Sequence, residues 1–295
     1  MKIPPSSDPN ICEYTIGNNG IAAPVLVDLP HSGGIYPDDF GFSCPKSALE
    51  LCEEHFLDEL FTAPTTSIGG VVVKANFPRT YVDTNRTADD IDQLLFDSPW
   101  LDGTSDKGRS VHGHGVLMRL IRAGEPMYSR PLTHSETRLR ITNYYTPYHT
   151  LLGYFSNTIF EQFGVIYHLD CHSMPSNVVA NSFPQLQPDF ILGDLDGRSC
   201  GIEFRTHIVE ALKNMGYRVV INQLYKGAEI ISRYGQPAWG RHSLQIEINR
   251  ALFQDEATGE KNKNFNSLAT DLEKLVASIG KFNALNDCSK NIPKF

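Results

Sequence analysis

The 295-residue chain lacks the features that most quickly assign a protein to a class. No apolar run approaches the about 18 residues needed to cross a bilayer, so a membrane-spanning helix is not expected. The N-terminal Met1-Lys2-Ile3-Pro4-Pro5-Ser6-Ser7-Asp8 has no apolar stretch of secretory-signal type, and the expected setting is cytoplasmic. Six cysteines (Cys12, Cys44, Cys52, Cys171, Cys200, Cys288) include no pair at Cys-x-x-Cys spacing, which argues against a disulfide framework and against a cysteine-built zinc site. Neither a Gly-x-x-x-x-Gly-Lys-Ser/Thr loop nor a Gly-x-Gly-x-x-Gly turn occurs, which counts against nucleotide chemistry. Positive charge is in deficit: 26 Lys+Arg face 34 Asp+Glu, a formal charge of −8. Such a chain is a poor nucleic-acid partner. An anionic small molecule stays open only if local arginines overcome the overall sign.

What is present reads as one globular domain over residues 1–295. Apolar residues make up 41% and charged residues 20%, with no repeat, low-complexity tract or long linker. Residues 24–29 (PVLVDL) form a strand-length apolar run that Pro30 breaks. Ala48 to Phe61 has helical spacing of Leu49, Cys52, Phe56 and Leu60. Val71 to Val73 reads as a strand. Ser135 to Phe163 reads as helix with a break at Pro147 and a stop at Gly164. Val165 to Leu169 is a short strand leading into Asp170-Cys171-His172-Ser173. Strands at 190–192 and 217–221 flank a helix over 199–215. Residues 224–240, rich in glycine, read as a long loop. Ser243 to Ile248 alternates apolar and polar, and a last amphipathic helix covers about 265–284. The fold class is α/β: a mixed sheet with helices on both faces.

Open α/β sheets bind ligands at the carboxyl ends of their strands, and three polar clusters fall there. His31 follows the first strand in Asp28-Leu29-Pro30-His31-Ser32-Gly33, either as a turn histidine or as a functional one. His172 lies in Asp170-Cys171-His172-Ser173, where imidazole beside carboxylate suits a metal. Cys171 offers a rival reading as thiolate nucleophile, but strand neighbours point to opposite sides, so Cys171 reads better as a small buried apolar residue. Glu247 is either paired with an arginine or poised as a base; taken alone, the ion pair is the simpler reading. Two histidines from different strand ends plus carboxylates suggest one zinc ion with an open position. Asn85 and Arg86 supply donors for a carboxylate, unless Arg86 is tied to Asp83. His112-Gly113-His114 is a weaker metal pair, and His55, His149 and His207 read as structural or solvated.

Taken in order, Pro30-His31-Ser32-Gly33, Asp83-Thr84-Asn85-Arg86, Leu169-Asp170-Cys171-His172-Ser173-Met174-Pro175-Ser176 and His242-Ser243-Leu244-Gln245-Ile246-Glu247 resemble the N-formylglutamate amidohydrolase family. Pro147-Tyr148-His149, Leu192-Gly193-Asp194, Lys226-Gly227 and Tyr234-Gly235 add to the match, which covers roughly residues 24–253. The resemblance implies a zinc-carboxypeptidase-like hydrolase fold and a cytoplasmic place in amino-acid degradation, histidine catabolism included. It implies Zn2+ on His31 and His172, with Asn85 and Arg86 on the substrate carboxylate. Glu247 would be the general base. The wider group carries a glutamate ligand three residues after the first histidine, where this chain has Gly34. Glu54 is the first choice for the third ligand, with Asp170 and Asp58 behind it. Arg140, Arg233 and Arg241 are candidates for the side-chain carboxylate of the substrate, although Ser232 stands where an arginine is expected. The implied reaction is hydrolysis of the formamide of N-formyl-L-glutamate. The alternatives are another N-acyl amino acid or a non-catalytic carboxylate-binding protein.

Overall fold

The computed structural model describes residue 5 and residues 8–102 and 108–282. Cys288 and the last two residues of the helix expected over 265–284 lie outside the described residues. The strands are β1 (Cys12–Ile16), β2 (Val25–Leu29), β3 (Val71–Ala75), β4 (Leu120–Arg122), β5 (Glu125–Pro126), β6 (Ile166–Met174), β7 (Phe190–Gly193), β8 (Val219–Ile221) and β9 (Arg241–Asn249). The helices are α1 (Lys46–Glu50), α2 (Leu57–Ser67), α3 (His134–Arg140), α4 (Thr146–Phe163), α5 (Ser176–Ser182), α6 (Ile202–Asn214), α7 (Glu229–Tyr234) and α8 (Phe265–Gly280). A seven-stranded sheet runs in the order β1-β3-β2-β6-β9-β7-β8, and β4 and β5 pair separately. Neighbours β2, β6 and β9 are parallel, whereas β7 runs antiparallel to β9. The sheet is therefore mixed, with helices flanking it.

The backbone gathers into two compact units. One comprises Tyr14–Leu29, Phe56–Val73 and the chain from Phe155 onward; the other holds Pro30–His55 and Lys74–Tyr154 with the N-terminal residues up to Glu13. In the first, the central strands divide their side chains by parity. Val25, Val27 and Leu29, then Tyr167, Leu169 and Cys171, then Leu244, Ile246 and Ile248 join one apolar core. Leu60 and Phe61 of α2, Phe204 and Ile208 of α6, and Leu268, Leu272 and Leu275 of α8 close over it. Each such buried side chain contributes about 1.5–3 kcal/mol.

The alternate residues of the same strands are polar and equally buried: Asp28, His168, Asp170, His172, Ser243, Gln245 and Glu247. His168 joins part of this set across strands. His168 lies with Nδ1 2.8 Å from Ser243 Oγ and Nε2 2.7 Å from Asp28 Oδ1. This set has the composition of a Ser-His-Asp triad, but Ser243 is wholly buried, and the three serve the sheet. Helix α7 approaches this polar side, with Tyr234 edge-on to the His168 ring.

The second unit is organised around aromatic rings and one buried cation. Arg140 lies over the rings of Phe40, Tyr81 and Tyr128. Its guanidinium donates to Tyr128 Oη and to the Phe40 carbonyl, both at 2.8 Å. The side chain is 1% exposed, so Arg140 is packed among these rings. Arg140→Ala is expected to cost about 2–4 kcal/mol of stability, because it opens a cavity and strands both acceptors. Thermal unfolding measures that loss, and KM should stay unchanged; a raised KM with an unchanged melting temperature would support the substrate role.

Several elements differ from the sequence expectation for identifiable reasons. The helix expected over 48–61 is two helices, α1 and α2, because Phe56 adopts a left-handed φ of 66° and the chain turns inward before it. The break expected at Pro147 is instead a π-helical segment, Ile141–Tyr145, that runs directly into α4. Strand β6 does not stop at Leu169. It carries Asp170-Cys171-His172-Ser173 inside its ladder with β9, since the polar side chains have polar cross-strand neighbours. The expected loop over 224–240 contains α7 and a 3-10 turn at Pro237–Trp239.

Candidate active site

Strand β2 ends at Leu29, and Pro30 turns the chain into His31-Ser32-Gly33. A Cβ on Gly33 would lie 2.3 Å from the Asn76 carbonyl carbon, so only glycine lets this turn close. His31 is 2% exposed. Its Nδ1 lies 3.0 Å from Glu54 Oε1 and its Nε2 2.9 Å from Asp83 Oδ1. The interruption between α1 and α2 delivers Glu54, whose N–H donates to the His31 carbonyl at 3.1 Å. Arg79 braces the same group, with Nη2 2.7 Å from Asp83 Oδ2 and Nη1 3.3 Å from Glu54 Oε1. Burial opposes the Asp83 charge, but Arg79, Arg86 and His31 prevail and hold its carboxyl well below the usual range.

His172, in β6, has Nε2 2.8 Å from Asp170 Oδ1. Among the described residues, His31, Glu54 and His172 form a buried group whose ligand atoms all lie within 4.8 Å of one another. His31 faces carboxylates with both ring nitrogens, and His172 Nε2 lies beside Asp170. Two imidazoles and one carboxylate are a donor set of catalytic zinc sites. The residues present therefore fit a single divalent ion. Asp170 sits behind His172 instead of within the trio, and Asp58 lies in the first turn of α2. Neither fallback belongs to the cluster.

Glu247 faces His172 directly in the β6–β9 register. It is 6% exposed, and its Oε1 accepts a hydrogen bond from Gln245 Nε2 at 2.8 Å. In the segment after Asp83, Asn85 N–H donates to Asp83 Oδ1 at 2.9 Å, and Arg86 Nη1 donates to the Asn85 carbonyl at 2.7 Å. The sequence reads Asp83 as a possible ion-pair partner of Arg86. The structure puts Arg86 Nη2 at 3.9 Å from Asp83, which gives its closer contacts to His31 and Arg79. Burial lowers the pKa of the Arg86 guanidinium, Asp83 opposes the shift, and Arg79 and Arg109 add to it. Burial and the same arginines also lower the pKa of His114. Local positive charge therefore gathers here despite the acidic total.

The loop bearing Asn85 and Arg86 is held from outside by residues that look merely structural in sequence. Tyr145, at the end of the π-helical segment, donates its hydroxyl to the Arg86 carbonyl at 2.9 Å, and His149 Nε2–H donates to the Thr84 carbonyl at 2.9 Å. The π-turn shifts the helical phase so that both reach inward. His114 contributes its carbonyl to Arg86 Nε at 3.3 Å, and His112-His114 is not part of the metal trio.

The other two candidate arginines have contacts of their own. Arg233 pairs with Glu229 at 2.6 Å along α7. Arg241 opens β9 opposite Ile166, six residues before Glu247 and at the other end of the strand, where it covers the Phe160 ring at 4.0 Å and reaches Asn157 Oδ1 at 3.0 Å. Cys171 faces the apolar core, as expected of a small hydrophobe. Burial, with the Asp8 and Glu13 carboxylates, pushes the Cys12 thiol up to about 11, so it is no thiolate at neutral pH.

Comparison with known proteins places the chain in a family. The family model described as N-formylglutamate amidohydrolase matches residues 23–254. An N-formylglutamate deformylase of Pseudomonas putida is 27% identical over 241 residues, 79% of this chain and 82% of that protein. Its counterpart in Pseudomonas aeruginosa is 27% identical over 237 residues, 79% and 83% of the two chains. The crystal structure of N-formylglutamate amidohydrolase from Ralstonia eutropha JMP134 superposes with a TM-score of 0.89 at 35% identity, covering 94% of this chain and 99% of that one. This chain belongs to the N-formylglutamate amidohydrolase family.

Proposed function

We propose that this amidohydrolase cleaves the formamide of N-formyl-L-glutamate, giving formate and the free amino acid, with one zinc ion held by His31, Glu54 and His172. The observation that carries the reading is the buried trio, with Glu247 opposite His172 on the same face of the sheet. A divalent ion there would supply Lewis-acid polarisation and bring the pKa of a water to about 7. Glu247 accepts a proton from the attacking water and returns it to the leaving nitrogen, so the C–O bond forms as the C–N bond breaks. Asp83 and Asp170, which lie beside the two imidazoles, would orient the rings toward the ion. Asn85 and Arg86 hold the α-carboxylate of the substrate. The cytoplasm, where thiols stay reduced, suits the free cysteines of such an enzyme.

The test is formate release from N-formyl-L-glutamate by purified, zinc-loaded protein, run beside N-acetylglutamate and N-formylmethionine. Release no greater than from a Glu247→Gln control overturns the substrate assignment. Arg86→Ala is expected to lower kcat/KM by about 10–100-fold, mainly through KM, because it removes charge-assisted hydrogen bonds to a carboxylate. Arg86→Lys should recover only part, since an ammonium cannot repeat the planar fork. An unchanged KM in Arg86→Ala would remove that residue from the substrate site.

A further inference from the structure

We propose that Gln245 contacts the substrate: its amide N–H2 fixes Glu247, and its carbonyl oxygen accepts the N–H of the scissile formamide. The inference rests on the reading that Glu247 is the base of a formamide hydrolysis. Gln245 is 4% exposed and lies on the polar face of β9, two residues before Glu247. In register it stands between Asp170, which pairs with His172, and Gly193. Because a carboxylate only accepts, the bond to Glu247 Oε1 fixes which end of the amide is nitrogen. The other end, Oε1, is buried and has no hydrogen-bond partner. Buried acceptors are rarely left so, and such a group calls for a donor that arrives from outside.

A formamide supplies that donor. Its carbonyl oxygen and carbon are the atoms that react, and its N–H is the remaining polar group at the scissile bond. The product ammonium keeps N–H donors at the same nitrogen. One side chain thus aims the base and reads the nitrogen on which the returned proton is placed. The corresponding ester, with oxygen in place of N–H, would face Gln245 Oε1 with a lone pair and gain nothing from it.

The experiment compares N-formyl-L-glutamate with 2-formyloxyglutarate in the zinc-loaded wild type, Gln245→Met and Gln245→Leu, with melting temperatures confirming the fold. Both variants should lose kcat/KM on the amide by about 10–100-fold and lose about tenfold less on the ester, so the amide-to-ester ratio falls by about tenfold. A parallel loss on both substrates overturns the proposed N–H contact, and an unchanged rate overturns the whole inference. A second readout needs no variant. Wild-type protein should bind the product L-glutamate about tenfold more tightly than glutarate, which lacks the nitrogen; equal affinities overturn the contact. Turnover of neither formyl compound by the wild type is a different failure, since it removes the formamide reading itself.

Discussion

Glu247→Gln is expected to lower kcat by roughly 10²–10⁴-fold, the range that general acid–base catalysis supplies. The substitution keeps the size and shape of the side chain, and its carbonyl oxygen can still accept from Gln245. It removes only the capacity to take a proton. KM should therefore stay within a few fold, and the melting temperature should barely move. Steady-state formate release and a thermal scan on one preparation make the comparison. A Glu247→Gln enzyme with wild-type kcat would end the assignment of Glu247 as base. A large fall in melting temperature would point instead to a structural role in the β6–β9 ladder.

Removal of the metal should be equally severe. Dialysis against a chelator is expected to abolish turnover, and one equivalent of Zn2+ to restore it. Elemental analysis should find about one ion per chain in the wild type and none in His31→Ala/His172→Ala. Loss of the ion should also lower the melting temperature by about 5 °C, since a ligand at 100 times its Kd adds about 2.7 kcal/mol. The alanine variants carry an added cost, because Asp83 and Asp170 lose the imidazoles they face. The metal content decides the matter for that reason, with the melting temperature as support. Full activity in the presence of chelator would overturn the metal assignment.

The legible and illegible parts of this protein separate along a physical line. Alternation over 243–248 is visible because a strand between a core and a polar layer must repeat every two residues. The apolar face of α8 is visible for the matching helical reason. Asp170-Cys171-His172-Ser173 looks like the end of a strand, because buried polar residues are costly unless partnered. Their cross-strand neighbours, Asp28, Gln245 and Glu247, come from other strands, and no local window contains them. The interruption before α2 is hidden for a related reason. Apolar spacing cannot tell one helix from two short ones, and the left-handed φ falls on Phe56, not on a glycine. Glu54 is 23 residues from His31, joined to it by a side-chain contact and a backbone bond that no spacing rule predicts. Arg140 shows the opposite limit. An arginine in sequence looks like a ligand for anions, and only the rings of Phe40, Tyr81 and Tyr128 reveal it as a core residue.

The division of β6 and β9 into odd and even residues also sets what insertions and deletions these strands can bear. One residue gained or lost upstream within β6 would exchange Leu169 and Cys171 with Asp170 and His172, sending carboxylate and imidazole into the apolar core and thiol into the site. A change of two residues keeps the parity and shifts only the height of His172 against Glu247. Length variation in this part of the chain should therefore collect in the connections between strands. Within β6 and β9, single-residue frame changes would cost fold and chemistry together, because both are written on the same alternation.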